Sequence, residues 1–329
     1  MKHFAPPAFP SRLPNVGTTI FSVMSALAQE HQAVNLGQGF PDFQCDPRLV
    51  DAVTHAMQAG HNQYPPMAGI PALRQAVASK IEALHARQYD ANTEITITAG
   101  ATQAILTAIL ACVQPGDEVV VLEPCYDSYV PNIELAGGVV VRVPLTPGSF
   151  RPDFAKISAA ITPRTRLLII NSPHNPSATI WTAEDMRALE DLLAPTNVLL
   201  ISDEVYEHMV FDGAEHQSAA RFAGLAARAF IVSSFGKTFH VTGWKVGTVA
   251  APAAMTAVAG SGVCQWTRIS VREVGRADRD VVEMTDPRQG AVRPGRPRRR
   301  VERITTRCVV MPWAPTRHPR ASPRPAGSA

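Results

Sequence analysis

An α/β architecture, with a mainly parallel sheet sandwiched between helices, is predicted by three features of the 329-residue sequence. Short runs of valine, isoleucine and leucine recur between residues 94 and 252 without an alternating polar face, as strands buried on both sides do. Stretches with a helical period separate them, giving the crossover length that parallel pairing needs. Several runs end on polar residues, and in such sheets ligands collect at the carboxyl ends of the strands.

The elements follow in order. After a proline-rich lead, "TIFSVMSALAQEH" (19–31) reads as a helix and "NLGQGFPDF" (35–43) as a glycine turn. Residues 46–92 add a helix, the loop "NQYPPMAGIP" (62–71) and a second helix beginning near Ala72. The strand "EITIT" (94–98) leads through "AGATQ" (99–103) into the apolar helix "AILTAILACV" (104–113). The turn "QPGDE" comes next, then the strands within "VVVLEP", "GGVVVRVPL" and "RTRLLIINSPHNP". Thr182 opens the helix "TAEDMRALEDLL", where Asp185 three residues on makes a capping box. "NVLLISDEVY", "ARAFIVSSFGK" and "WKVGTVAAP" complete the series. No internal repeat appears, and the hydrophobic period fades after about Ala257.

Composition narrows the class. A hydrophobic share of 46% and a charged share of 18% fit a soluble globular chain, and the length suggests about two domains. The start lacks the apolar core of a secretion signal, and no apolar run approaches the roughly 18 residues of a membrane span. Cys45, Cys112, Cys125, Cys264 and Cys308 are scattered, which suits neither a disulfide framework nor a zinc site. A cytoplasmic enzyme without a metal or membrane partner is expected. The net charge of +3 hides two unlike pieces. Residues 258–329 carry 15 arginines, no lysine and 6 acidic residues, against 16 basic and 22 acidic residues before them.

The strand ends carry the chemistry. Lys237 lies in an apolar, glycine-bearing run, where desolvation lowers a lysine's pKa towards the unprotonated amine that attacks an aldehyde. Asp203 closes "NVLLISD", and a carboxylate buried at a strand end is costly unless it meets a cation. "AGATQ" joins a strand to a helix, so the amides of Ala101 and Thr102 can face an anion at the helix N-terminus. Read one at a time, these residues admit plainer roles. Lys237 could be a surface lysine, Asp203 a helix cap, Asn175 a turn residue before Pro176, and Tyr126 core packing.

Taken together, "AGATQ", "NSPHNPSA", "SDEVYEH" and "SSFGKTFHVTGWKVG" resemble the class I/II, fold-type I pyridoxal-phosphate aminotransferases. "LGQGFPDF" and "NQYPPMAGIPALR" narrow the resemblance to the methionine aminotransferase and kynurenine/glutamine transaminase branch, over about residues 12–257. The resemblance implies that Lys237 forms the Schiff base with pyridoxal 5'-phosphate and then moves the proton at the substrate Cα. It implies that Asp203 keeps the ring nitrogen protonated, while Tyr206 and Asn175 bond the 3' oxygen. Tyr126 would stack on the ring. Gly100, Ala101, Thr102, Ser234 and Lys245 would hold the phosphate. Gly39 and Asn175 would border the substrate, and Tyr64 would reach the phosphate site of a second copy in a homodimer.

The implied organisation is an N-terminal arm with part of a small domain (1–45), a large cofactor-binding domain (46–257) and an Arg/Pro-rich tail (258–329). The implied reaction moves an amino group from methionine, glutamine or an aromatic amino acid to a 2-oxo acid. Cysteine-S-conjugate β-elimination would use the same residues, and a catalytically inactive cofactor-binding or basic-tail nucleic-acid-binding protein is a further alternative. The tail resembles nothing in the family, whose small domain carries the arginine that binds the substrate carboxylate; Arg307 in "TTRCVV" is a faint counterpart. Arginine without lysine, with frequent proline, is what a GC-rich gene gives when read out of frame. A frameshifted or truncated C-terminus is therefore expected, with the small domain incomplete or absent and the chain poorly stable or inactive. Nucleic acid is not the expected partner.

Overall fold

The Val/Ile/Leu runs become seven strands of one sheet: β1 (Ile95–Thr98), β2 (Glu118–Glu123), β3 (Val139–Pro144), β4 (Thr165–Asn171), β5 (Leu199–Asp203), β6 (Ala229–Ser234) and β7 (Gly247–Ala250). The structure, a computed structural model, describes residues 10–14, 16–39 and 43–263. The arginine-rich tail from residue 264 onward, with Cys264, Arg307 and Cys308, lies outside the described residues, and so does the expectation about a small domain there.

The spatial order is β1-β7-β6-β5-β4-β2-β3. β7 runs antiparallel to both neighbours, and every other pairing is parallel. The carboxyl ends of β1, β6, β5 and β4 therefore share one edge of the sheet with the amino end of β7. Register makes this concrete: Thr98 and Ser234 both pair Gly247, Asp203 pairs Val232, and Asn171 pairs Asp203.

Burial on both faces follows from the lack of an alternating polar side. Val119, Val121, Leu167 and Ile169 pack on one face with Ile105, Ile109 and Ile133. Val120, Leu122, Leu168 and Ile170 pack on the other with Leu73, Val77, Ile157 and Leu189. The first face is covered by α4 (Ala101–Cys112), α5 (Tyr129–Leu135) and α10 (Ala253–Val263), the second by α3 (Pro71–His85), α6 (Phe154–Ala160) and α7 (Ala183–Leu193). Each fully buried aliphatic side chain contributes about 1.5–3 kcal/mol by leaving water.

Local chemistry sets the helix starts. Thr19 caps α1 (Ile20–Glu30), and Asp46 caps α2 (Pro47–Gln58) with proline in its first turn. The capping box expected at Thr182 and Asp185 opens α7, both reciprocal bonds being present. Two boundaries differ from expectation. The strand-like run into Lys237 stops at Ser234, because the Ser234 hydroxyl accepts the Gly236 amide at 3.2 Å and the backbone coils into α9 (Phe235–Thr238). The boundary expected near Ala257 falls inside α10, whose Met255 and Ala259 pack on the first face.

Candidate active site

The shared sheet edge assembles residues from five strand ends. Asp203 closes β5 with 3% of its surface exposed. The Tyr129 hydroxyl donates to its Oδ2 at 2.6 Å, and the Val205 amide donates to Oδ1 at 3.3 Å. Burial pushes the Asp203 carboxyl up to about 6, although the Tyr129 bond, the Val205 amide and the charge of Lys237 pull the other way. No fixed cation hydrogen-bonds this carboxylate among the described residues, so it is suited to receive one.

Lys237 is half-buried on α9. Burial lowers its pKa and Asp203 opposes the shift, so the amine is closer to its nucleophilic form than a surface lysine. Its Nζ stands 5.3 Å from the centre of the Tyr206 ring. The turn carrying it is tied down on two sides. Phe235 donates its amide to the Val246 carbonyl at 3.1 Å, and the Thr242 hydroxyl donates to the Gly236 carbonyl at 3.0 Å. Tyr206 is also held in its phenol form, raised by burial and then by Asp203.

Beside β5, Asn171 ends β4 and organises the turn that follows. Its Oδ1 accepts the Asn175 amide at 2.7 Å and its Nδ2 donates to the Asp203 carbonyl at 2.8 Å. Asn175 thus sits in a turn tied to Asn171, whose side chain also reaches the Asp203 main chain. Burial lowers the pKa of the adjacent His174, and its Nδ1 lies 2.7 Å from the Ser177 hydroxyl.

The N-terminus of α4 meets the start of β7. Gly100 takes φ +83° to turn the chain from β1 into the helix, and no side chain caps the first turn. A Cβ on Gly247 would lie 2.6 Å from the Gly100 carbonyl carbon and 2.7 Å from the Ala101 nitrogen, so only glycine fits there. Lys245 is left-handed at φ 57°, and its Cα would lie 3.9 Å from a Cβ on Gly100. Its Cδ would lie 4.0 Å from the same Cβ, so its stem runs beside the start of α4, whose first amides suit an anion. Tyr126 is half-buried; burial raises its hydroxyl pKa, against a hydrogen bond with the Thr102 side chain. It meets Tyr129 edge to face, ring centres 5.7 Å apart. A cavity of about 550 Å³ opens beside it, lined in part by Phe21, Gln38 and Ser128.

Two expected residues lie in exposed loops. Tyr64 stands 71% exposed in the loop between α2 and α3. Gly39 is exposed, with nothing within 4 Å of an added Cβ, and residues 40–42 beside it are outside the described set.

The sequence profile of the family described as "Aminotransferase class I and II" matches residues 31–271. The chain belongs to that family. Members of the family use pyridoxal 5'-phosphate, and the mostly parallel seven-stranded sheet with flanking helices is that of its fold-type I structures. Methionine aminotransferase of Escherichia coli (strain K12) is 52% identical over 247 residues, covering 75% of this chain and 64% of the relative. The chain thus spans less than two thirds of that relative's length. A solved E. coli structure reported to have a methionine aminotransferase function superposes with a TM-score of 0.82 at 47% identity, covering 84% of this chain and 74% of the other. N-succinyldiaminopimelate aminotransferase of Mycobacterium tuberculosis superposes at 0.80 with 42% identity, covering 85% and 73%.

Sequence reasoning passed over several residues that the fold of this family member brings to the site. Asn171 closes the apolar run "LLIIN", and the polar-strand-end criterion applied to Asp203 selects it as well. Tyr129 lies three residues after Tyr126 in "CYDSY", a spacing that puts both rings on one side of a helix start. Lys80 and Glu207 had no such signal. Their pair, 2.7 Å apart behind β5 and β6, joins residues 127 apart in sequence.

Proposed function

We propose that this chain captures pyridoxal 5'-phosphate and serves transamination between an amino acid and a 2-oxo acid. The observation that carries the proposal is a half-buried lysine of lowered pKa near a buried carboxylate that, among the described residues, hydrogen-bonds no cation. A protonated pyridine nitrogen is such a cation, so the residues fit the cofactor.

In this reading Lys237 holds the cofactor through its amine. Once a substrate amine takes its place, the lysine takes the proton from the substrate Cα. Asp203 keeps a proton at the ring nitrogen. When bound, the cofactor supplies an electron-withdrawing ring that stabilises negative charge at Cα. Tyr206 and Asn175 donate to the 3' oxygen, and Tyr126 covers one face of the ring. The backbone of Gly100, Ala101 and Thr102, with Ser234 and Lys245, holds the phosphate. Gly39 and Asn175 border the substrate, and the exposed Tyr64 serves a second copy of the chain in a homodimer. The cofactor-binding domain begins near residue 46 and includes α10 as its last covering helix, past residue 257.

Similarity to methionine aminotransferase favours methionine as donor, with glutamine and aromatic amino acids as the wider class. Among the described residues no helix is long and apolar enough to cross a membrane, which agrees with a cytoplasmic site of action. The test is the visible absorbance of the purified chain with pyridoxal phosphate, repeated with Lys237→Ala. A lysine-dependent band that disappears in the variant is expected; a band that survives Lys237→Ala refutes the assignment. Amino transfer from methionine to a 2-oxo acid, compared with pyruvate release from a cysteine S-conjugate, then tests the reaction.

A further inference from the structure

Tyr129 belongs to none of the motifs that define the site, yet it is buried to 2% exposure with its hydroxyl on Asp203 at 2.6 Å. We propose that Tyr129 is a positioning residue whose hydroxyl orients the Asp203 carboxylate towards the cofactor's ring nitrogen and sets its acidity. The inference rests on the aminotransferase reading, in which Asp203 faces that nitrogen.

The hydrogen bond is of the short, charge-assisted kind. Among the described residues Tyr129 is the one side chain that hydrogen-bonds this carboxylate. The Val205 amide binds the other oxygen from within the same turn, and Asn171 fixes the Asp203 main chain rather than its side chain. Tyr129 enters from α5, 74 residues away in sequence. It therefore determines which way the carboxylate plane faces independently of β5.

Its chemistry suits the role. Burial, and then the charge of Asp203, pushes the Tyr129 hydroxyl well above the ordinary tyrosine value, so it remains a donor at every working pH. The groups facing Asp203 are Lys237 on α9, Tyr126 and Tyr129 at the start of α5, and Glu204 and Tyr206 on its own segment. Lys237 lowers its pKa by charge and Glu204 raises it. Tyr129 contributes by donation, which stabilises only the ionised form. Removing the hydroxyl raises the Asp203 pKa. Because only the ionised carboxylate pairs with a protonated ring nitrogen, the acid limb of cofactor affinity must move to higher pH.

The test uses Tyr129→Phe in the full chain with pyridoxal phosphate as probe. Affinity is read from the lysine-dependent band between about pH 5 and 8, alongside a thermal melt. Loss of a bond to a charged group predicts an acid limb moved up by about one unit, with binding about twofold weaker near pH 7 and approaching about tenfold weaker towards pH 5. Replacing Tyr129 with 3-fluorotyrosine, a stronger donor of nearly the same shape, should move the limb down. That second variant covers the case in which Tyr129→Phe fails to fold. A folded Tyr129→Phe protein with unchanged affinity and limb, or a limb unmoved by fluorotyrosine, overturns the proposal while the parent's Lys237-dependent band leaves the aminotransferase reading standing. A parent chain without that band sinks the reading itself, and the proposal with it.

Discussion

Replacing Lys80 with methionine keeps the stem of the side chain and removes its charge from beside Glu207. The two side chains are 10% and 6% exposed, and Nζ lies 2.7 Å from Oε1. After the change Glu207 retains the Ser233 hydroxyl. His85 and His208 stand 3.9 Å from its oxygens, too far for hydrogen bonds. Breaking a buried pair on one side costs about 3–5 kcal/mol, because the remaining charge stays desolvated. The measurement is urea denaturation of both proteins across pH. In the parent, burial pushes the Glu207 carboxyl up, but Lys80, with His85 and His208, holds it well below the usual range. Its contribution is thus present above the unfolded glutamate pKa and is lost as pH falls through the lower folded value. In Lys80→Met the carboxyl rises, so its penalty relaxes as pH falls through that raised value. The gap between the proteins should be widest near neutrality and narrow towards about pH 4. A loss under about 1 kcal/mol at pH 7, or a gap that does not narrow in acid, refutes the reasoning.

Gly247→Ala would put a methyl group against the Gly100 and Ala101 backbone at 2.6 and 2.7 Å. It should cost about 1–3 kcal/mol and weaken pyridoxal phosphate binding more than a distant change of equal stability cost, as read by calorimetry and by the visible band. Phe230→Ala, at a fully buried position on β6, should lose about 3–5 kcal/mol in denaturation.

The sheet was legible because its strands need nothing but local chemistry to declare themselves. Runs such as "VVVLE" and "LLIIN" are apolar on both faces, and "AGATQ" and Thr182 carry their own turn and cap signals. Asp203, Asn175 and Tyr206 lie at one edge because each closes or follows a strand, and Lys245 because it leads into the reversed strand β7. What depended on distant partners was hidden. Lys80 in "VASKIEALH" looks like a solvent-facing helix lysine, and only the packing of α3 against the sheet and the Glu207 segment buries it. The end of β6 was misjudged for a similar reason. "VSSFGKT" has no breaker before its glycine, and the strand ends where the Ser234 hydroxyl captures an amide instead. Gly39 and Tyr64 carry expectations about a substrate and a second copy, neither of which a single chain can display.

The reversed strand β7 has a consequence for biosynthesis. Among the described strands β1 pairs only with β7, and Ile95 waits for Ala250 to complete its pairing. At ribosomal rates of roughly 5–20 residues per second, that interval is on the order of 8–30 s. Throughout it the strand partner of Ile95 and Ile97 has not yet been made. The last of the described strands to emerge is thus the one that fills the sheet between β1 and β6, next to the start of α4. On the proposed reading of Gly100–Thr102 and Lys245 as phosphate holders, cofactor capture can begin only after this closure.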